Sequence, residues 1–117
     1  MAVLFVTTYD LASQVLAQRL EDVLGAHVPR ANGLLVVLEA SQYAQLAAAF
    51  RDSLGLTLPV AMADADTIEG KSSFGPVPRI PTLVVLDGEG REVWRHAGVV
   101  SHGDIEKSLA TTTVHAN

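Results

Sequence analysis

The residues of this chain that could perform chemistry are few, and the most nucleophilic type is missing. There is no cysteine, which excludes disulfides and thiolate metal ligands. The chain contains four histidines, scattered along the sequence: His27, His96, His102 and His115. Their spacing is not that of a metal site, and the run Ser-His-Gly-Asp around His102 is one helix start, whereas a catalytic triad is assembled from separate segments. The sequence therefore predicts no metal, no cofactor and no catalytic residue.

Acidic residues between positions 64 and 69 are the other candidates for ligand chemistry. Asp64, Asp66 and Glu69 carry the oxygen atoms that calcium prefers, but they lack the spacing and the glycine of a calcium loop. The run Asp66-Thr67-Ile68-Glu69 instead resembles a capping box, which opens a helix. We therefore predict a short helix here rather than a metal site.

Composition limits the classes of function that are open to the chain. At 117 residues, 49% hydrophobic and 18% charged, it can form one globular domain with a buried core. Its net charge of −5 opposes binding to nucleic acid or to anionic membranes, which select basic surfaces. No apolar run approaches the roughly 20 residues of a membrane span, and Ala2–Val6 lacks the length and the charged flank of a signal peptide. We expect a single domain over residues 1–117, with no nucleic acid partner and no membrane insertion.

The distribution of apolar residues predicts an α/β fold. Four apolar runs are typical of buried strands: Ala2–Val6, Leu34–Leu38, Leu56–Met62 and Thr82–Leu86. Helical spacing is found in the segments between them, from Leu11 to Leu24 and from Ser41 to Leu54, and again after Ser101. The turn residues Asp87-Gly88-Glu89-Gly90 lead into a more polar strand, Arg91–Ala97. The resulting order, βαβαβαββα, requires parallel strands with right-handed crossovers followed by an antiparallel hairpin.

The stretch Phe74–Gly98, which reads FGPVPRIPTLVVLDGEGREVWRHAG, carries a family resemblance. Ile80-Pro81-Thr82, an apolar strand, an Asp-Gly hairpin, Ala97-Gly98 and a helix after Ser101 resemble the C-terminal half of a thioredoxin-like domain of the TlpA-type branch. The resemblance implies a five-stranded mixed sheet of order 3-2-1-4-5 with helices on both faces. It also implies a cis Ile80–Pro81 bond lying against the redox site. The N-terminal hairpin that TlpA-like domains carry has no counterpart here.

The segment Phe5–Ser13 resembles the redox segment of that family, with its cysteines replaced. The family pattern is Phe-Trp-Ala-Thr-Trp-Cys-x-x-Cys, so Asp10 stands at the position of the nucleophilic cysteine and Ser13 at that of the resolving cysteine. The acid that thioredoxin keeps six residues before its nucleophile is also missing, since Leu4 stands there. From the residues alone, Asp10 is a helix N-cap and Ser13 is a first-turn serine with no further role. No histidine or lysine is placed by the sequence to activate that serine.

The predicted function follows from the resemblance together with the lack of thiols, because the recognition surface of the family does not depend on them. We expect a redox-inactive domain, not an enzyme, that binds a protein or peptide partner. The expected binding groove lies between the start of the first helix and the proline loop: Thr8, Tyr9, Asp10, Arg79, Ile80 and Pro81. Two alternatives stay open, a TlpA-type thiol–disulfide oxidoreductase relative whose cysteines were lost or come from a partner, and a structural subunit. The resemblance also implies an extracytoplasmic, anchored location.

Arg79 stands where the family most often has glycine. If the proline loop faces the start of the first helix, Arg79 and Asp10 could form a charge pair at the mouth of the groove. The alternative is that Arg79 points into solvent. A pair of this kind would add only about 0–1 kcal/mol of stability, so its role would be partner selection.

Overall fold

The computed structural model of the chain describes residues 1–26, 31–72, 74–77 and 79–115, with side chains as far as residue 110. The strands are β1 (Ala2–Val6), β2 (Gly33–Val37), β3 (Val60–Met62), β4 (Thr82–Leu86) and β5 (Glu92–Ala97). The helices are α1 (Leu11–Ala26), α2 (Ala44–Ser53), α3 (Ala65–Ile68) and α4 (His102–His115), and a 3₁₀ turn, Ser41–Tyr43, precedes α2. None of these helices has both the length and the apolar character needed to span a bilayer.

The strands form one five-stranded mixed sheet in the order β3-β2-β1-β4-β5. The first three strands are parallel, because β1 pairs with β2 and β2 with β3 in parallel registers. β4 runs antiparallel to both β1 and β5. The predicted sheet order 3-2-1-4-5 and the α/β class are therefore confirmed.

The sheet is covered on both faces, as predicted, but very unequally. Every residue of β1 is buried, which explains its unbroken apolar sequence. Leu4 and Val6 belong to a large core formed with α1, α2 and α4. Val3 and Phe5 point to the opposite face, where a smaller core is completed by the segment that runs from Ala63 to Ile80 and contains α3. Since α3 has only four residues, most of that second layer is loop.

That loop is fastened to the sheet by Arg95 of β5. The Arg95 guanidinium donates to the carbonyl oxygens of Phe74 at 2.5 Å and Pro76 at 3.3 Å. It also forms a two-pronged ion pair with Glu92, at 3.0 Å and 2.8 Å. The hydrogen bonds of this pair lower the pKa of Glu92 from its usual value and raise the pKa of Arg95. Phe74 also meets Phe5 edge-on, with ring centroids 5.2 Å apart.

Several predicted boundaries are corrected by local chemistry. The third strand spans Val60–Met62 and not Leu56–Met62. Leu56 and Leu58 are buried in the large core, but they belong to the segment that leads into the strand. Pro59 has no N–H group to donate to a neighbouring strand. α3 is capped by Asp64, whose carboxylate accepts from the Thr67 N–H at 2.8 Å, so the predicted start at Asp66 is wrong. The sequence also predicts that Gly25 and His27 close the first helix; α1 continues through Gly25 to Ala26, and His27 lies outside the described residues.

The Ile80–Pro81 peptide bond is cis, as the resemblance implied. The Thr82 hydroxyl donates to the Arg79 carbonyl at 2.6 Å and closes the turn around the proline. On the other side, the N–H of Gly98 donates to the Pro81 carbonyl at 2.7 Å. Gly98 has a φ of +97°, a conformation that side chains disfavour. The proline loop is thus bonded to the end of β5.

Candidate functional site

Three segments meet at the edge of the sheet where β1 and β2 end. Val6 pairs with Val37 in the parallel register, so the residues after each strand continue side by side. Phe5 pairs with Thr82 in the antiparallel register, so the residues before Thr82 run alongside the end of β1. The topology therefore brings the start of α1 and the proline loop to one edge, which is the arrangement on which the predicted groove depends.

Asp10 caps the first turn of α1. Its Oδ1 accepts from the Ala12 N–H at 3.3 Å, and its carbonyl oxygen accepts from the Gln14 N–H at 3.2 Å. Its Oδ2 accepts from the Ser13 hydroxyl at 3.0 Å. The Ala12 contact satisfies an N–H group that a helix start leaves without a partner, and the Gln14 contact is the first bond of the helix ladder. The N-cap interpretation of Asp10 is confirmed.

Ser13 has more contacts than a first-turn serine without a role would have. Besides donating to Asp10, its Oγ accepts from the Thr7 backbone N–H at 3.3 Å, so it joins the end of β1 to the helix cap. Its side chain is completely buried. A dissolved substrate cannot reach this hydroxyl, which argues against nucleophilic chemistry. Beside it, the buried Oγ1 of Thr7 has no hydrogen-bond partner among the described residues.

Glu39, which follows β2, fixes the position of the loop after β1. Its Oε1 accepts from both the backbone N–H and the hydroxyl of Thr8, each at 2.7 Å. The contact between Thr8 and Glu39 was not predicted from the sequence. The contact follows from the register, because pairing Val6 with Val37 in parallel strands places Thr8 opposite Glu39.

The outer surface of this edge is apolar. Tyr9 is 82% exposed and Leu11 is 71% exposed. The apolar spacing that begins at Leu11 predicts this residue on the buried face of the helix, and its exposure corrects that prediction; Leu11 is the first residue of α1 and lies ahead of the buried turns. Ile80 packs partly against the small core, and Pro81 is buried.

Arg79 does not complete the predicted charge pair. The Arg79 side chain is exposed, and no ion pair within the described ranges includes it. The carboxylate of Asp10 is directed instead to Ala12 and Ser13 of its own helix. The solvent-facing alternative is the one that the structure adopts.

A cavity of about 310 Å³ opens beside the same edge. It is lined by Thr8, Tyr9, Glu39, Tyr43 and Leu46. Glu39, Tyr43 and Leu46 were not predicted as site residues, because they come from the segment between β2 and α2 and not from the proline loop. Tyr43 and Leu46 are about half exposed, at 44% and 51%.

Comparison with solved structures decides the fold. StoA of Bacillus subtilis aligns with a TM-score of 0.73 and 17% identity over 92% of this chain and 80% of that one. A thiol:disulfide interchange protein of the thioredoxin family from Chlorobium tepidum aligns with a TM-score of 0.72 and 20% identity over 95% and 77%. A secreted disulfide oxidoreductase of Mycobacterium tuberculosis, homologous to DsbE of E. coli, aligns with a TM-score of 0.72 and 16% identity over 94% and 79%. The fold is thioredoxin-like. Protein-family models and curated protein sequences give no match.

Asp10 and Ser13 lie together at the start of α1. A helix N-terminus stabilises negative charge, and the Asp10 carboxylate occupies that position. Leu4, in β1, is fully buried. Two other candidates from the sequence lie beside groups of opposite charge, since Glu69 pairs with Lys71 at 3.2 Å and His102 lies 3.7 Å from Asp22.

Proposed function

We propose that this chain is a redox-inactive thioredoxin-like domain that binds an extended segment of a partner protein. The observation that supports the proposal is which residues stand at the position that corresponds to the redox site of the family. Asp10 and Ser13 bond each other there, in a chain without cysteine, while Tyr9 and Leu11 are exposed beside them. Disulfide exchange requires a thiolate that attacks sulfur, and a carboxylate cannot replace it. The recognition surface needs no thiol.

The exposed side chains suit a binding role. Tyrosine supplies a large contact area at a low cost in side-chain entropy and is enriched among the residues that dominate binding energy. Tyr9 is the most exposed of the large hydrophobic residues that the structure describes, at 82%. Arg79 and Ile80 form the other side of the proposed groove, and the free Arg79 guanidinium supports a role at its rim. Charges at a rim mainly set the association rate and the choice of partner.

The test is direct binding of peptides to the purified chain. A random peptide library is selected on the immobilised protein, and the affinities of the enriched sequences are measured by calorimetry. Tyr9→Ala is expected to weaken binding at least about tenfold, as for a residue at the centre of an interface. Gln18→Ala, an exposed change farther along α1, is the matched control and should have no effect. Failure to enrich any peptide, or affinities that Tyr9→Ala and Arg79→Glu leave unchanged, would count against the groove.

The names of the structural neighbours favour one alternative, a thiol–disulfide oxidoreductase of the TlpA type whose cysteines come from a partner. Two of the solved structures described above are named as a thiol:disulfide interchange protein and a disulfide oxidoreductase. In that case this chain would hold the substrate while a thiol of the partner performs the exchange. An insulin-reduction assay on the native complex, compared with the partner alone, distinguishes the two proposals, because a binding module would not raise the rate of its partner.

We also propose an extracytoplasmic location. One structural neighbour is described as secreted, and a chain without cysteine loses nothing in an oxidising compartment. Fractionation of the native cells, followed by immunodetection of the intact protein, tests this. Recovery in the cytoplasmic fraction alone would refute it.

A further inference from the structure

The cavity beside the helix start has an unusual lining. The chain has two tyrosines, and both of them, Tyr9 and Tyr43, line this cavity of about 310 Å³. Glu39, which carries a carboxylate, and the apolar Leu46 also line it. Electron-rich aromatic rings together with a carboxylate are the groups by which proteins bind organic cations.

One oxygen of the Glu39 carboxylate has no partner among the described residues. Oε1 holds Thr8, whereas no hydrogen bond or ion pair of the described residues involves Oε2. Asp10, the residue after Tyr9, also lacks a cationic partner within those ranges. Arg79 is exposed, and no ion pair among the described residues neutralises the negative charge at this edge. The net charge of −5 adds to the attraction for a cation.

We propose that this cavity holds a lysine or arginine side chain of the bound segment. The cationic head would lie against Glu39 Oε2 and the tyrosine rings, and its methylene stem against Leu46. A cavity of about 310 Å³ is at the small end of the range for ligand sites, which suits one side chain rather than a folded surface. This inference rests on the proposed function, because it names one residue of the peptide that the groove would bind.

The experiment compares matched peptides that differ at a single position. Peptides enriched on the protein are synthesised with lysine or with norleucine, which keeps the stem and lacks the charge. The lysine form is expected to bind at least about tenfold more tightly. Glu39→Gln should bring the ratio of the lysine and norleucine affinities close to one, since it removes the charge while the glutamine oxygen can still accept from Thr8. Gln18→Ala serves as the control variant.

A small probe tests the cavity without any peptide. N-acetyl-lysine methylamide is titrated into the protein and compared with N-acetyl-norleucine methylamide, and the ring signals of Tyr9 and Tyr43 are followed by NMR. The lysine probe should shift both sets of signals in the wild type and neither in Glu39→Gln.

The outcomes separate the two proposals. If peptides bind through the groove but show no lysine or arginine preference, and Glu39→Gln changes nothing, the cavity inference is wrong and the binding function stands. If no peptide binds, the proposed function fails, and the small probe alone decides the cavity. Equal shifts from the two probes, or none, overturn the inference.

Discussion

Removing the Asp10 carboxylate should destabilise the fold by more than the loss of a surface charge. In Asp10→Ala the Ala12 N–H loses its cap, which costs about 1 kcal/mol for a typical N-cap. The Ser13 hydroxyl also loses its acceptor in a fully buried place, and an unsatisfied buried donor costs about 1–3 kcal/mol. Because the Ala12 contact is long, at 3.3 Å, we expect a total loss in unfolding free energy of about 2–3 kcal/mol.

Urea denaturation followed by tryptophan fluorescence measures this loss. The chain has one tryptophan, Trp94, which packs partly against the large core and therefore reports on unfolding. With a slope of about 1–3 kcal/mol per molar urea, the urea midpoint should fall by about 0.7–3 M. Asp52→Ala is the matched control, since Asp52 is exposed and its carboxylate has no bond to another described residue. Asp10→Asn, which keeps one acceptor oxygen, should lie between the wild type and Asp10→Ala.

A double-mutant cycle with Ser13→Ala isolates the pair. The double variant removes the Ser13 hydroxyl together with the Asp10 carboxylate, so no donor is left without its acceptor. Its loss in unfolding free energy should be smaller than the sum of the two single losses by about 1 kcal/mol. The reasoning would be refuted if Asp10→Ala lost less than about 0.5 kcal/mol, or no more than Asp52→Ala, since the hydrogen bonds would then contribute nothing measurable.

Three further results are expected. Asp10→Cys should give a thiol with a pKa below the ordinary value of about 8.5, because a helix N-terminus favours the thiolate; alkylation rate against pH measures it, and an ordinary pKa would contradict the helix-start geometry. The purified chain should reduce insulin no faster than buffer, since it has no cysteine; a rate above buffer would contradict redox inactivity. Unfolding free energy should fall as the pH drops from about 5 to 3, because the hydrogen bond from the Arg91 N–H lowers the pKa of Asp87 in the folded state, so the unfolded chain binds more protons. Urea midpoints should show a smaller fall in Asp87→Asn, and an equal fall would remove Asp87 as a cause.

The elements whose bounds were predicted most accurately are the strands that are defined by burial alone. β1 and β4 have the predicted bounds, because an unbroken apolar run inside a sheet has few other structures open to it. The order of the strands followed from the alternation of elements together with the family resemblance. By contrast, β3 was predicted too long, since buried leucines in a loop have the same pattern as buried leucines in a strand.

The candidate site was predicted only where it is local in sequence. Asp10 as a cap follows from the residue type and its position before a helix. The contact between Thr8 and Glu39 joins segments that are distant in sequence, and it could be found only by combining the strand order with the register. The cavity formed with Tyr43 also depends on how a 3₁₀ turn leads into α2, which the periodicity of alanine-rich residues does not specify.

The Arg95 contacts affect whether the conformational entropy of the proline loop is lost on folding or on binding. The guanidinium bonds Phe74 and Pro76 to β5, so this part of the segment before Ile80 is held by the chain's own contacts and needs no ligand to fix it. Its loss of conformational freedom is then a cost of folding and not of association, and a preorganised wall leaves more of the contact energy for affinity. Substitutions of Arg95 should therefore lower the affinity for the proposed peptide by making the loop more flexible, although Arg95 itself would not contact the peptide.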